Sequence, residues 1–204
     1  MNNSWNKVIY KMWSPIYDYF FNAGPFRKAR EAVFSDIPFK HEDKILFVGV
    51  GTGVDLLQIP SNELDITAID YSEDMLEQAK KKFPNSSIRF IQMDAQNLQF
   101  EEQSFNYVVA SLLLSVVPDS DRAFQEMARV TKEEGKIIVF DKFLSPGERL
   151  SLSKTIIRPI IGVLGTDIGI SFERLLRNCA YKLHKVEDQP VLFNGMYRKI
   201  VLKK

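Results

Sequence analysis

The stretch Ile45-Leu46-Phe47-Val48-Gly49-Val50-Gly51-Thr52-Gly53 decides the fold, because an apolar strand runs without a break into glycines at alternate positions. Glycine has no Cβ, so the backbone can turn sharply there and come close to a ligand. The reading predicts a helix from about 54 to 59, whose first N–H groups face the same crevice. The spacing is not that of a dinucleotide loop, Gly-x-Gly-x-x-Gly, since the third glycine comes one residue early and Val54 stands where it would fall. A nicotinamide dinucleotide is therefore disfavoured. A tight turn without a ligand uses glycines too, so the weight passes to the residues that follow.

Working outward, apolar runs at 44–50, 65–70, 88–94, 107–114 and 136–143 are each bounded by polar or turn residues and read as strands. Between them the period changes to that of a helix. Over 72–83, Met75, Ala79 and Phe83 share a face with Leu76 beside them, Ser72 can cap the start and Pro84 stops the end. A second helix is predicted from about 119 to 130, with Phe124 and Met127 inward and Gly135 ending the turn that follows. Strands alternating with helices imply an α/β, doubly wound, mostly parallel sheet covered on both faces. The runs 181–193 and 197–204, separated by Asn194-Gly195, read as a hairpin. An antiparallel C-terminal pair is thus expected to complete a seven-stranded sheet. No linker or repeat divides the chain, so one domain over 1–204 is expected, with an N-terminal helical cap over 1–40 and a helical insert or lid over 145–180.

Two acids follow the glycines. The second strand ends in Asp70, where a carboxylate can accept hydrogen bonds from both ribose hydroxyls of a nucleoside. The third strand ends in Asp94-Ala95, and a carboxylate there suits an adenine amino group. Alone, Asp70 reads equally as a cap or turn residue, and Asp94 as a turn aspartate bonding its own backbone. Three strand ends in order favour a nucleoside site.

Composition sets the outer bounds. The 27 basic and 26 acidic residues almost cancel, so no general field draws nucleic acid. The lone Cys179 cannot pair within the chain, which agrees with a reducing compartment and a cytoplasmic location. No signal-like start and no run of ~20 apolar residues is present. His41 and His184 stand apart from any ligand spacing, so no metal is expected.

Over 44–143 the sequence resembles the class I S-adenosylmethionine-dependent methyltransferases. Phe47–Gly53 resembles their glycine motif, Asp70 their ribose-binding acid and Asp94 their adenine-contacting acid. Residues 99–109 look like their approach to strand four, and Arg129-Val130 with Gly135-Lys136 like their approach to strand five. The resemblance implies S-adenosylmethionine as cofactor, with Gly49, Val50, Gly51, Thr52, Gly53, Asp70, Tyr71, Asp94, Ala95 and Ser111 around it. The chain departs from the pattern at Phe47, where these enzymes usually carry the acid that helps hold the methionine amino group. That departure leaves three outcomes open: weaker cofactor binding, compensation by another acid such as Asp55, or a cofactor-binding protein without turnover.

Residues 13–20, 113–119 and 141–143 look like bacterial phospholipid N-methyltransferases, with the ubiquinone and menaquinone C-methyltransferases as nearby relatives. This implies a small-molecule or lipid-like acceptor, a phospholipid amine among the candidates, and Tyr17 and Asp18 as acceptor-side catalytic candidates. Aromatic residues between Trp5 and Phe21, interleaved with Lys7 and Lys11, can either meet a membrane surface or close over the site. The apolar insert, interrupted by Pro159, Gly162 and Gly165, reads as a mobile lid or as core packing. Oligomeric state is left open.

Overall fold

The computed structural model describes residues 24–144 and 169–204. Within them the strands are β1 (Lys44–Val48), β2 (Asp65–Asp70), β3 (Arg89–Gln92), β4 (Phe105–Ser111), β5 (Thr131–Lys142), β6 (His184–Leu192) and β7 (Tyr197–Lys203). They form one sheet in the order β3-β2-β1-β4-β5-β7-β6. The first five are parallel, and β7 lies antiparallel between β5 and β6. β1 sits inside, paired with β2 and β4, which is why Ile45 to Val48 are all apolar and buried. The strand order reverses between β1 and β4, and a crevice opens at such a switch point beyond the carboxyl ends.

Alternation along the strands splits the core into two layers. Leu46, Val48, Val108, Ile137 and Val139 pack with Phe124 and Met127 of α3 (Ser120–Val130) and Phe172 of α4 (Phe172–Asn178). Ile45, Phe47, Ile66, Val109 and Ile138 pack with Val33 and Phe34 of α1 (Gly24–Phe34) and Leu76 of α2 (Glu73–Lys82). The predicted caps are in place. Ser72 Oγ accepts from Met75 N at 3.4 Å, and the Asp119 carboxylate accepts from Arg122 N at 2.9 Å.

Two expectations are corrected. After the glycines the chain makes a 3₁₀ turn, Asp55–Gln58, rather than a helix over 54–59, and Ile59 is already extended ahead of Pro60. A single turn carries little dipole, so the loop's own N–H groups matter more than a helix terminus. Strand β5 begins at Thr131, ahead of the expected 136. Its pairing with β4 jumps from Thr131 to Lys136, and residues between them loop out through Glu134 at φ 63°. The hairpin forms as read, turning through Asn194 and Gly195 at positive φ.

Of the expected cap and insert, only α1 and α4 fall within the described residues. Tyr17, Asp18, the aromatic residues from Trp5 to Phe21, and residues 145–168 lie outside them. Among the described residues no helix is long and apolar enough to cross a membrane.

Asp119→Ala removes the α3 cap while leaving its buried face intact. It should lower unfolding stability by about 1 kcal/mol, read from urea denaturation at constant slope.

Candidate functional site

The loop between β1 and the 3₁₀ turn is held from three sides. Val50 N donates to Ile69 O at 2.9 Å, and Gly51 N donates to Asp70 Oδ2 at 2.8 Å. Lys82, at the end of α2, donates to Thr52 O at 2.9 Å. Gly53, at φ 80°, lets the loop settle on α2, where a Cβ would lie 3.1 Å from that of Ala79. Gly51 differs: at φ 56°, nothing among the described residues lies within 4 Å of a Cβ built on it. Its backbone is the part of the loop a ligand can approach.

Asp70 ties this loop to the start of α2, since its other oxygen accepts from Ser72 N at 2.8 Å. Burial pushes its carboxyl above the ordinary range, against the hydrogen bonds from the backbone of Ser72, Gly51 and Tyr71. Each oxygen has one backbone donor in these two bonds and retains acceptor capacity. Tyr71 follows, its side chain 41% exposed at the same edge.

Met93 N donates to Asp70 O at 3.0 Å and so carries Asp94 and the buried Ala95 past the end of β3 to the same crevice. The turn reading of Asp94 holds: its Oδ1 accepts from Gln96 N at 2.9 Å and from Gln96 Nε2 at 2.9 Å. Gln96 also accepts from Asp119 N at 3.0 Å and from Arg122 Nε at 2.8 Å through its own carbonyl, linking this turn to α3. Ser111 closes β4 at the far side of the glycines.

The fold thus brings Gly49 to Gly53, Asp70, Tyr71, Asp94, Ala95 and Ser111 to one edge of the sheet. Sequence reasoning missed Arg30. It is 4% exposed, paired with the buried carboxylate of Asp55, and its Nη1 lies 3.4 Å from Ser111 Oγ. A signal was available: Phe26, Ala29, Val33 and Phe34 form the inward stripe of α1, and Arg30 stands within it. Asp55, read as a stand-in acid, is engaged by this arginine. Phe47 turns into the core and packs against Phe34 with ring centres 6.2 Å apart.

Comparison with known proteins supplies the family. The family described as "Methyltransferase domain" matches residues 46–139. The chain is 31% identical over 195 residues to phosphatidylethanolamine N-methyltransferase of Cereibacter sphaeroides, covering 92% of each. The chain belongs to the S-adenosylmethionine-dependent methyltransferases. It is also 36% identical over 123 residues to a ubiquinone/menaquinone biosynthesis C-methyltransferase of Campylobacter jejuni, spanning 56% of this chain and 51% of that one. In fold it resembles a solved S-adenosylmethionine-dependent methyltransferase of Thermotoga maritima, titled a possible histamine N-methyltransferase. The TM-score is 0.68 at 21% identity, over 97% of this chain and 98% of that one.

As a methyltransferase the protein uses S-adenosylmethionine, whose methyl is already activated, so the fold's task is alignment and exclusion of water. Both histidines of the chain lie away from the crevice. His41 precedes β1, and His184 starts β6 opposite Lys203, so both stand at the amino edge of the sheet. Burial pushes the Cys179 thiol up, which makes it a poor nucleophile. Among the described residues no group of three or more metal-ligating side chains forms.

Asp141, at the carboxyl end of β5, is fully buried and accepts from Ser115 N at 3.0 Å and Lys142 N at 2.8 Å. It anchors the loop after β4. Burial of the Tyr197 phenol, and second to it the charge of Asp141, push that phenol up to about 12. Burial raises the Asp141 carboxyl itself against its hydrogen bonds. A carboxylate whose pKa is higher folded than unfolded begins to oppose folding as the unfolded chain ionises, and the penalty grows until the folded pKa is passed. Asp141→Asn should therefore gain stability relative to the wild type as pH rises through and above the ordinary carboxylate range in urea titrations. A difference that does not change with pH contradicts this.

Proposed function

We propose that this methyltransferase transfers the methyl group to the amine of an ethanolamine phospholipid. The end-to-end similarity to a phosphatidylethanolamine N-methyltransferase carries the reading, because it extends across both chains. Similarity to the quinone C-methyltransferase stops at about half of each chain. The chemistry agrees: an amine acceptor needs only to arrive neutral, whereas a carbon acceptor calls for a base. Both histidines stand at the wrong edge for that task, and Asp141 is fully buried.

The proposed cofactor cradle is Gly49 to Gly53, Asp70, Tyr71, Asp94, Ala95 and Ser111. The space that the described residues leave over Gly51 and the acceptor capacity left on Asp70 fit an adenosyl group. When bound, the cofactor supplies an electrophilic methyl on a sulfonium. The chain's own residues grip the nucleoside, fix the angle of approach and shield the site. Tyr17 and Asp18 remain proposed for the acceptor side, and the aromatic start is proposed to rest on a lipid surface.

Asp70→Ala should weaken binding of S-adenosylhomocysteine by about 1–3 kcal/mol in calorimetric titration, since polar partners are left unmatched. Acceptor choice is read by methyl transfer to phosphatidylethanolamine vesicles beside a demethylated quinone. Transfer to the vesicles is expected, and transfer to the quinone alone overturns the proposal.

A further inference from the structure

The amino-acid end of S-adenosylmethionine carries an ammonium and a carboxylate, and a site that takes both from water must offer each a partner. In this chain Phe47 supplies no charge at the end of β1, since a phenyl ring has no ionisable group, and it is buried against the α1 layer. Just past the glycines stands the Arg30–Asp55 pair, 4% and 5% exposed, with one side chain from α1 and one from the 3₁₀ turn. The same guanidinium reaches Ser111 Oγ at 3.4 Å, so the pair spans from the glycine loop to the end of β4. These are the strands between which the order reverses, the place where open α/β sheets take their ligands. An ion pair is the electrical complement of a zwitterion. A guanidinium carries roughly five N–H donors and a carboxylate about four acceptor positions, so the two can hold each other and a zwitterion together.

We propose that Arg30 and Asp55 recognise the amino-acid end of the cofactor, Arg30 taking its carboxylate and Asp55 its ammonium, in place of the acid that Phe47 replaces. The proposal rests on the cofactor cradle described above. It differs from a purely structural pairing, which would tie α1 to the turn but would not distinguish ligands by their amino-acid end.

The test is calorimetric titration of the full chain with S-adenosylhomocysteine and with methylthioadenosine, which lacks the amino acid. The variant is Arg30→Gln with Asp55→Asn, which removes both charges, keeps the net charge and leaves polar side chains at both positions; a melting transition close to the wild type's shows that it folds. In the wild type, S-adenosylhomocysteine should bind at least about 10-fold tighter than methylthioadenosine, as expected for charged hydrogen bonds. In the double variant that preference should vanish while methylthioadenosine binding stays unchanged. A retained preference overturns the proposal, and so does a wild type that binds both ligands equally, which would leave the adenosine cradle standing. A wild type that binds neither overturns the cradle as well. Should the double variant not fold, Arg30→Lys keeps the charge but loses the planar fork, and an unchanged preference there overturns the proposal.

Discussion

The carboxylate of Asp70 holds the site together. One oxygen takes the N–H of Gly51 and the other the N–H of Ser72, so one side chain at the end of β2 fixes the glycine loop and the first turn of α2. Ser72 then caps α2, and Lys82 at its far end returns to the loop through Thr52 O. The loop, the helix and the strand end therefore form a closed circuit. Burial makes the Asp70 charge costly, and the backbone donors offset part of that cost. A site built this way has its acceptors oriented before any ligand arrives, which reduces the ordering that binding requires.

The same logic runs along the edge. Asp94 is steadied by Gln96, which is tied to α3, and Asp141 holds Ser115 against the end of β5. Apolar packing through the two layers sets the height of each strand end, and the carboxylates at those ends then organise the loops. A carboxylate at a strand end can meet both a neighbouring backbone N–H and a ligand donor, because its two oxygens offer more acceptor positions than the backbone uses.

The sheet was legible because the central strands carry apolar runs and α2 and α3 carry their own caps. Val48 flowing into Gly49, Ser72 before Met75 and Asp119 before Phe124 are local signals that tertiary structure had no reason to override. The strand-end acids were legible by position, although what they bind within the protein was not. Arg30 was hidden because its role depends on Asp55 and Ser111, which are remote in sequence and meet only when α1 folds over the loop. The 3₁₀ turn looks like a helix in sequence because its apolar residues suit either, and Ile59-Pro60 ends it after one turn. Gln96 carries no signal at all in isolation, since its amide matters only between Asp94 and the α3 cap.

A crystal structure with S-adenosylhomocysteine tests the central claim most directly. The account predicts both ribose hydroxyls on the Asp70 carboxylate, with the nucleoside passing over Gly51 toward Asp94. A ligand seated elsewhere, with Asp70 still bonded to backbone N–H groups alone, would contradict it.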